Sequence, residues 1–388
     1  MPAILKYVID VSAGVALFFA LLAVFAVDYF FAPRVAGPSA NTLTVNVIET
    51  SSKQRDPKRL RMAITPTGRF QDPFSKQVEL WDDMGKLLME LGDGFRYEEI
   101  TEQQILAKEK KLSNYDVVFL TCAGGGEELN NDLLNFVSEG GILYASDWRY
   151  DAVAAAFPTM ANAELKGEGA KQELDAEIVD PALRDMIGNK IHIKFDLPQW
   201  KTAAFSGPRV KTLIKGNYVK FRGPGQAAET VTAPLMVKFG VGKGTVIFTS
   251  FHNEKQNSRL EKQLLQYLVF SLVTAGVDTE INAKMDQGGF TPQRSNLLST
   301  PKRNQSISKT YENAKKADLR FALGFRNEGA KLRFNIKSPE GKEFTWEGAS
   351  TVILDVPGAT PGTWTYTVTD IVLPYENFPF TMTVGEKK

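Results

Sequence analysis

The feature that most constrains this chain is an apolar run close to its first residue. Residues 11–27 contain no charged side chain, and Asp10 and Asp28 bound them. At about 1.5 Å per residue, a helix over residues 7–32 is long enough to cross a hydrocarbon core of about 30 Å. Because the run has no polar face, a soluble amphipathic helix does not fit it. The run therefore predicts a single-pass transmembrane anchor at residues 7–32, with a cleaved signal peptide as the alternative.

Positive charges near the two ends of this run are nearly balanced. Lys6 precedes the run, whereas Arg34 and the basic stretch 57–61 follow it. The basic stretch lies far from the run, where such charges have little influence on orientation. We therefore predict a membrane protein that contacts the lipid bilayer through residues 7–32 and has its bulk on the extracytoplasmic side.

Composition excludes several classes of protein. The chain has 388 residues, enough for two or three folded units, and 43% of them are hydrophobic, which excludes wholesale disorder. Its 46 Lys and Arg residues against 45 Asp and Glu leave a net charge of +1, too small for a protein that binds nucleic acid over a broad surface. The single cysteine, Cys122, excludes an intrachain disulfide and a Cys-rich zinc site, and the two histidines, His192 and His252, leave little for a His-based metal centre. We therefore expect no metal and no cofactor.

Periodicity predicts an α/β domain over residues 58–280, after a Pro-, Gly- and Ser-rich tether at residues 33–57. Helical patterns, one of them at 78–91, alternate there with continuously apolar stretches such as 116–122 and 142–146. Such stretches are typical of strands buried on both faces of a parallel sheet. The succession predicts a flavodoxin-like parallel sheet with helices on both faces.

The last part of the chain has strand periodicity. Residues 281–311 are rich in Pro, Gly, Ser, Asn and Gln, which predicts a linker. Apolar residues then alternate with polar ones through residues 312–388, in five or six short stretches separated by turn sequences such as SPEG and PGATPGT. This pattern predicts a small all-β sandwich, immunoglobulin-like in size but without a disulfide.

Four stretches within residues 58–277 resemble one family. They are WDDMGKLLMELGDGFRYEEIT, LSNYDVVFLTCAGGG, LLNFVSEGGILYASDW and GVGKGTVIFTSFHNEKQNSRLEKQLLQYLV. Together they are similar to the class I glutamine amidotransferase-like superfamily, and most of all to its non-amidotransferase branches in membrane-associated bacterial proteins. The resemblance covers about half of the chain and implies the fold more strongly than any activity, because one fold serves many functions.

The resemblance implies two catalytic elements, of which the sequence matches one. Members with amidotransferase activity carry a nucleophilic Cys on a Gly-flanked elbow between a strand and a helix, and a His-x-Glu pair farther along the chain. His252 and Glu254 match the pair, and a carboxylate-oriented imidazole can deprotonate a thiol. The elbow position instead holds Asp147 between Ser146 and Trp148, with neither Cys nor Gly.

Four residues, Cys122, Asp147, His252 and Glu254, are therefore candidates for catalysis, and simpler structural roles also fit them. Cys122 follows the preceding strand and suits a small apolar packing position. Asp147 suits a turn or a helix cap, and His252, like its neighbour Glu254, suits a hydrogen-bonded strand end. Because Cys122 belongs to a different strand from the elbow, we expect its sulfur to lie farther than about 3–4 Å from the imidazole of His252.

A crevice at the carboxyl ends of the parallel strands is the second candidate site. The turn of Gly124, Gly125 and Gly126 leads from a strand into a helix, as an anion-binding loop does. A plain tight turn explains the three glycines as well. Trp148 and Asn253 follow two other strands, which places them at the same crevice. These five residues are the candidate ligand-binding positions.

Two functions stay open from the sequence. The first is a membrane-anchored, non-catalytic interaction or scaffold protein in a multi-protein assembly, whose partners are other membrane or envelope proteins or a second copy of the chain. The alternative is a hydrolase or amidase that uses Cys122 or Asp147 with His252. The missing elbow Cys favours the first function, and the charge balance predicts no nucleic-acid partner.

Overall fold

The described part of the chain consists mainly of β-strands and contains one long helix of 29 residues. A computed structural model describes residues 42–49, 60–71, 76–122, 126–162, 167–202, 204–222, 225–253, 259–300, 305–326 and 328–387. Leu43–Lys388 forms one compact unit.

The elements are numbered in chain order within these residues. The strands are β1 (Asn46–Glu49), β2 (Met62–Ile64), β3 (Gly68–Gln71), β4 (Val78–Trp81), β5 (Tyr97–Glu99), β6 (Val117–Leu120), β7 (Ile142–Ser146), β8 (Gly167–Ile178), β9 (Lys190–Thr202), β10 (Val210–Val219), β11 (Thr230–Val241), β12 (Gly244–Thr249), β13 (Phe290–Thr300), β14 (Ser306–Asn313), β15 (Ala317–Phe325), β16 (Lys331–Lys337), β17 (Glu343–Gly348), β18 (Val352–Ala359), β19 (Gly362–Val372) and β20 (Phe378–Lys387). The α-helices are α1 (Met84–Leu91), α2 (Glu102–Leu106), α3 (Asn130–Ser138), α4 (Tyr150–Ala156), α5 (Pro181–Ile187) and α6 (Arg259–Gln287).

The largest sheet has nine strands in the order β5-β2-β6-β7-β12-β11-β10-β8-β9. The first five are parallel, and the last four pair antiparallel with one another and with β12. Every residue of β6 and β7 is buried, and alternate residues enter two different hydrophobic clusters, one on each face of the sheet. This two-sided burial accounts for the continuously apolar sequence of these strands.

The prediction of a flavodoxin-like, wholly parallel sheet is wrong. Residues 167–241 contribute β8, β9, β10 and β11, which extend the same sheet through antiparallel pairing. Much of β8 and β9 alternates between exposed and buried residues, the pattern of a sheet with one face in solvent. Polar residues at the exposed positions make these strands unlike the apolar runs that mark the parallel half.

Residues 78–91, predicted as one helix, form a strand and then a helix. Val78–Trp81 pairs with β3 in a hairpin. The side chain of Asp83 then caps α1 by accepting a hydrogen bond from the backbone N of Lys86 at 2.9 Å, and the helix ends at Gly92, which has φ +106°. The cap explains why the helix begins after the strand and not at its first residue.

Two further sheets pack face to face. One has the order β1-β18-β15-β20-β13 and the other β14-β19-β16-β17, and all their strand pairs are antiparallel. The ring of Phe321 on β15 lies 5.8 Å from that of Trp364 and 5.7 Å from that of Tyr366, both on β19. All three side chains are at most 1% exposed, so they form the core between the two sheets.

The prediction of a small, separate all-β sandwich at residues 312–388 is also wrong, and an immunoglobulin-like fold is not supported. β1 joins the five-stranded sheet from far upstream, and the predicted linker 281–311 contains the end of α6 together with β13 and β14. β14 is an edge strand that exposes Ser306, Ser308 and Thr310 at alternate positions. Its composition therefore resembles that of a loop, which is why the linker was predicted.

Helix α6 connects the two parts of the hydrophobic core. Leu264, Leu268 and Leu272 are buried in the same cluster as residues of the nine-stranded sheet. Farther along the helix, Ile281 and Met285 pack against residues of the five-stranded sheet. One helix thus belongs to the cores of both parts, which explains why residues 43–388 form one unit where the sequence predicted two domains.

The assignment of the chain as a single-pass membrane protein is corrected as well. Among the residues that the structure describes, no helix is long and apolar enough to cross a membrane. The predicted anchor at 7–32 lies outside the described residues, as does most of the tether at 33–57.

Candidate functional site

Three candidate residues meet at one edge of the nine-stranded sheet. Cys122 follows β6, Asp147 follows β7 and His252 follows β12, and the carboxyl ends of these parallel neighbours lie at the same edge. A sulfur of Cys122, a carboxylate oxygen of Asp147 and a ring nitrogen of His252 all lie within 4.8 Å of one another. Each of the three residues is at most 2% exposed. The site is therefore a buried cluster and not an open crevice.

The imidazole of His252 lies between two carboxylates. Its Nε2 is 3.4 Å from Oδ2 of Asp147, and its Nδ1 is 2.9 Å from Oδ1 of Asp196 on β9. Burial alone lowers the pKa of His252, but hydrogen bonds to Asp147 and Asp196 raise that pKa well above its ordinary value. The protonated form of the ring is therefore favoured, and each of its nitrogens faces a carboxylate.

Asp147 occupies the position of the predicted elbow. It begins a 3-10 turn directly after β7, and its φ of +44° lies in the left-handed region, which is strained for a residue other than glycine. One carboxylate oxygen accepts a hydrogen bond from the backbone N of Lys201. Burial raises the pKa of Asp147, and the hydrogen bond from His252 opposes that increase.

Cys122 donates a hydrogen bond from its thiol to Asp147, with a sulfur–oxygen distance of 3.4 Å. Burial, and secondly the charge of Asp147, raise the pKa of the Cys122 thiol to about 12, although His252 acts in the opposite direction. The thiol is therefore protonated at neutral pH. The sulfur lies within 4.8 Å of a ring nitrogen of His252, although the two residues follow different strands.

Sequence reasoning missed a second buried acid, Asp82. Its Oδ2 accepts a hydrogen bond from the backbone N of Cys122 at 2.6 Å and another from the hydroxyl of Ser146. Burial raises the pKa of Asp82, and the charge of His252 opposes the rise. The preceding Trp81 donates its indole N–H to the carbonyl of Cys122 at 2.9 Å. The only sequence signal was the pair of acids before α1, which the cap at Asp83 explains equally well.

Long side chains close the cluster from the loop side. The ammonium of Lys201 lies 4.3 Å from the ring centroid of Trp148 and pairs with Glu168. Arg149, 1% exposed, donates from Nε to the carbonyl of Thr121 at 2.7 Å. These contacts fix the side chains that neighbour Asp147 and Cys122 in sequence or by hydrogen bonding.

The other predicted ligand positions do not form a crevice among the described residues. Gly126 has φ +93°, and a Cβ there would come within 3.0 Å of Arg149, which fits a tight turn. Asn253 is fully buried and donates to the hydroxyl of Tyr144 at 2.6 Å. Three further candidates, Gly124, Gly125 and Glu254, lie outside the described residues.

A cavity of about 640 Å³ lies elsewhere in the molecule. Residues of α6 and of strands β10, β11, β13 and β20 line it, and Asp278 and Lys238 are among them. Its lining contains none of Cys122, Asp147 and His252. The cluster, which brings together a thiol, an imidazole and carboxylates, is therefore the stronger candidate for chemistry.

Comparison with known proteins gives no family for the chain. No protein-family profile matches it, and no curated protein matches it. Among solved structures, a β-galactosidase from Bacillus circulans sp. alkalophilus is 11% identical, with 77% of this chain and 41% of that chain covered and a TM-score of 0.35. A cytoplasmic protein from Salmonella typhimurium is 12% identical, with 54% and 98% covered and a TM-score of 0.35.

A glutamine amidotransferase from Thermotoga maritima is 13% identical, with 60% of this chain and 91% of that chain covered and a TM-score of 0.31. The chain thus spans about two fifths of the length of the galactosidase and most of the length of the other two. Similarities this weak carry no argument about activity. What they support is a distant structural similarity to a glutamine amidotransferase.

Proposed function

We propose that the chain is a non-catalytic interaction or scaffold protein built on a degenerate amidotransferase-like domain. The observation that carries this proposal is the closed state of the cluster. Cys122, Asp147 and His252 are each at most 2% exposed and already bind one another. A substrate has no access to them without displacing the side chains that cover them.

The protonation states of the cluster also support a non-catalytic role. Acyl transfer through a thiol needs a thiolate or a neighbouring base that takes the thiol proton. The pKa of Cys122 is raised to about 12, and the raised pKa of His252 leaves that ring protonated. A protonated His252 has no lone pair with which to act as the base.

An exposed apolar surface beside the cluster supports protein binding. Val78 and Leu80 on β4 are 54% and 42% exposed, and they stand at alternate positions on one side of the β3–β4 hairpin. The strand ends at Trp81, and Trp81 and the following Asp82 hydrogen-bond to Cys122. Apolar side chains held in solvent favour a partner that covers them, either another protein or a second copy of the chain.

One observation favours the alternative, a hydrolase or amidase that uses Asp147 or Cys122 with His252. Asp147 keeps a left-handed backbone at the elbow, with φ +44°, and strained residues are frequent at active sites. A carboxylate held in this way is a possible nucleophile beside His252.

An activity measurement separates the two functions. We expect purified protein to hydrolyse neither glutamine nor simple amides and esters above the rate of the Asp147→Asn variant. Circular dichroism serves as the control for folding of both proteins. Turnover that Asp147→Asn or Cys122→Ala abolishes in a folded protein would establish the hydrolase instead.

Site-specific cross-linking tests the binding half of the proposal. A photo-reactive amino acid at Leu80 should form cross-links to one protein species in cells that express the chain. The matched position is Leu134 on α3, which is 38% exposed and lies on a different element. Equal labelling at both positions would show only random collisions and would contradict the proposed surface.

A further inference from the structure

Two of the distances within the cluster match those between the ligands of a tetrahedral metal ion. With zinc bonds of about 2.3 Å to sulfur and about 2.0–2.1 Å to nitrogen and oxygen, tetrahedral ligand atoms lie about 3.3–3.6 Å apart. Oδ2 of Asp147 is 3.4 Å from the sulfur of Cys122 and 3.4 Å from Nε2 of His252. Both separations lie within that range, and the sulfur of Cys122 is within 4.8 Å of the ring nitrogen of His252.

The donor set also selects among metals. A thiolate, an imidazole and a carboxylate are the three side-chain groups that bind zinc in proteins, whereas magnesium and calcium prefer oxygen alone. Three protein ligands leave one position of the tetrahedron for a water molecule or another group.

Hydrogen bonds around the cluster supply an independent observation. A histidine that binds zinc through one nitrogen usually donates its other N–H to a carboxylate, which fixes the ring. Here Nδ1 of His252 is 2.9 Å from Asp196, while Nε2 faces Asp147. The second oxygen of Asp147 accepts from the backbone N of Lys201, so this ligand too is held in place.

We propose that Cys122, Asp147 and His252 form a zinc-binding site at the carboxyl ends of β6, β7 and β12. On binding, the zinc ion forms bonds to Sγ of Cys122, Oδ2 of Asp147 and Nε2 of His252, and the protons of the thiol and of Nε2 pass to solvent. The ion joins three neighbouring strands at their ends, and its fourth position is left to a water molecule or another group. The inference therefore goes beyond the proposed function and does not depend on it.

Cobalt is the probe for this site because its visible spectrum reports tetrahedral coordination and thiolate ligation. Protein freed of metal with a chelator is refolded with Co²⁺, since Cys122 is only 2% exposed in the folded chain. We expect one equivalent of Co²⁺ per chain, a tetrahedral absorption band, a sulfur-to-cobalt charge-transfer band, and displacement of both by one equivalent of Zn²⁺.

Two substitutions test which residues bind the metal ion and which residue orients them. Cys122→Ser should remove the charge-transfer band, and Asp196→Asn should weaken Zn²⁺ binding about 10–100-fold because it removes the carboxylate that orients His252. The matched control is His192→Ala, which removes the other histidine and should leave binding unchanged. Failure of wild-type protein to bind one equivalent, or a cobalt spectrum without the thiolate band, would overturn the proposal whether or not the variants fold.

Discussion

Replacing His252 with alanine is expected to lower the free energy of unfolding by about 3–5 kcal/mol in buffer that contains a metal chelator. The imidazolium lies 3.4 Å from Asp147 and 2.9 Å from Asp196, and it is 1% exposed. Without it, Asp147 keeps a buried carboxyl group with no positive charge beside it, and burial of an uncompensated charge is costly. Urea unfolding followed by circular dichroism measures the loss.

The other histidine of the chain provides the matched control. His192 also has two carboxylate partners, with its Nδ1 3.0 Å from Asp175 and its Nε2 3.3 Å from Glu173. Its side chain is 52% exposed, so solvent screens both pairs. His192→Ala should cost less than about 1 kcal/mol. Equal losses for the two variants would mean that the cluster at His252 is not a buried charge network.

Replacing Phe321 with alanine is expected to lower the free energy of unfolding by about 3–5 kcal/mol. Its ring is fully buried between the two smaller sheets, against Trp364 and Tyr366. Because the same hydrophobic cluster includes Val117 and Tyr144 of the nine-stranded sheet, both parts should unfold in one transition. Hydrogen exchange measured by mass spectrometry should show loss of protection in β6 and β7 as well as in β15 and β19.

The control for this variant is Val372→Ala at the end of β19. Val372 is 50% exposed, so its truncation should change stability by no more than about 0.5 kcal/mol. Two separate transitions, of which Phe321→Ala shifts only one, would restore the two-domain organisation that the sequence predicted.

The parallel half of the large sheet could be predicted from sequence because its strands are buried on both faces. The predicted strands at 116–122 and 142–146 contain β6 and β7. Because their sequences are continuously apolar, they could be recognised as strands buried on both faces. Helix α3 was predictable for a related reason, since Leu133, Phe136 and Val137 form its buried face.

Strands with one exposed face were harder to predict. β14 exposes Ser306 and Ser308, and the edge strand β9 exposes Lys190 and His192, so their local sequences resemble loops or isolated strands. Their place in the sheets depends on partners far along the chain, such as β19 for β14. A pattern read along one segment contains no information about such pairing.

The position of the site was partly predictable because two of its residues follow the apolar parallel strands. His252 and Asp147 follow apolar strands, so their position at one sheet edge follows from parallel order. Asp82 comes from a loop before α1, where the cap at Asp83 explains the pair of acids equally well, and Asp196 comes from the antiparallel strand β9 and has no local signal. Without Asp196, the sequence could not show that both nitrogens of His252 are engaged.

The reactivity of the single thiol tests most directly the claim that the cluster is closed and non-catalytic. Cys122 is the only cysteine in the chain, so each reacted thiol reports this site alone. In chelator-containing buffer, a thiol reagent such as Ellman's reagent should leave the native protein unmodified over the time in which denatured protein reacts with one thiol per chain. Rapid modification of native, folded protein at neutral pH would show an accessible thiolate and would contradict this account.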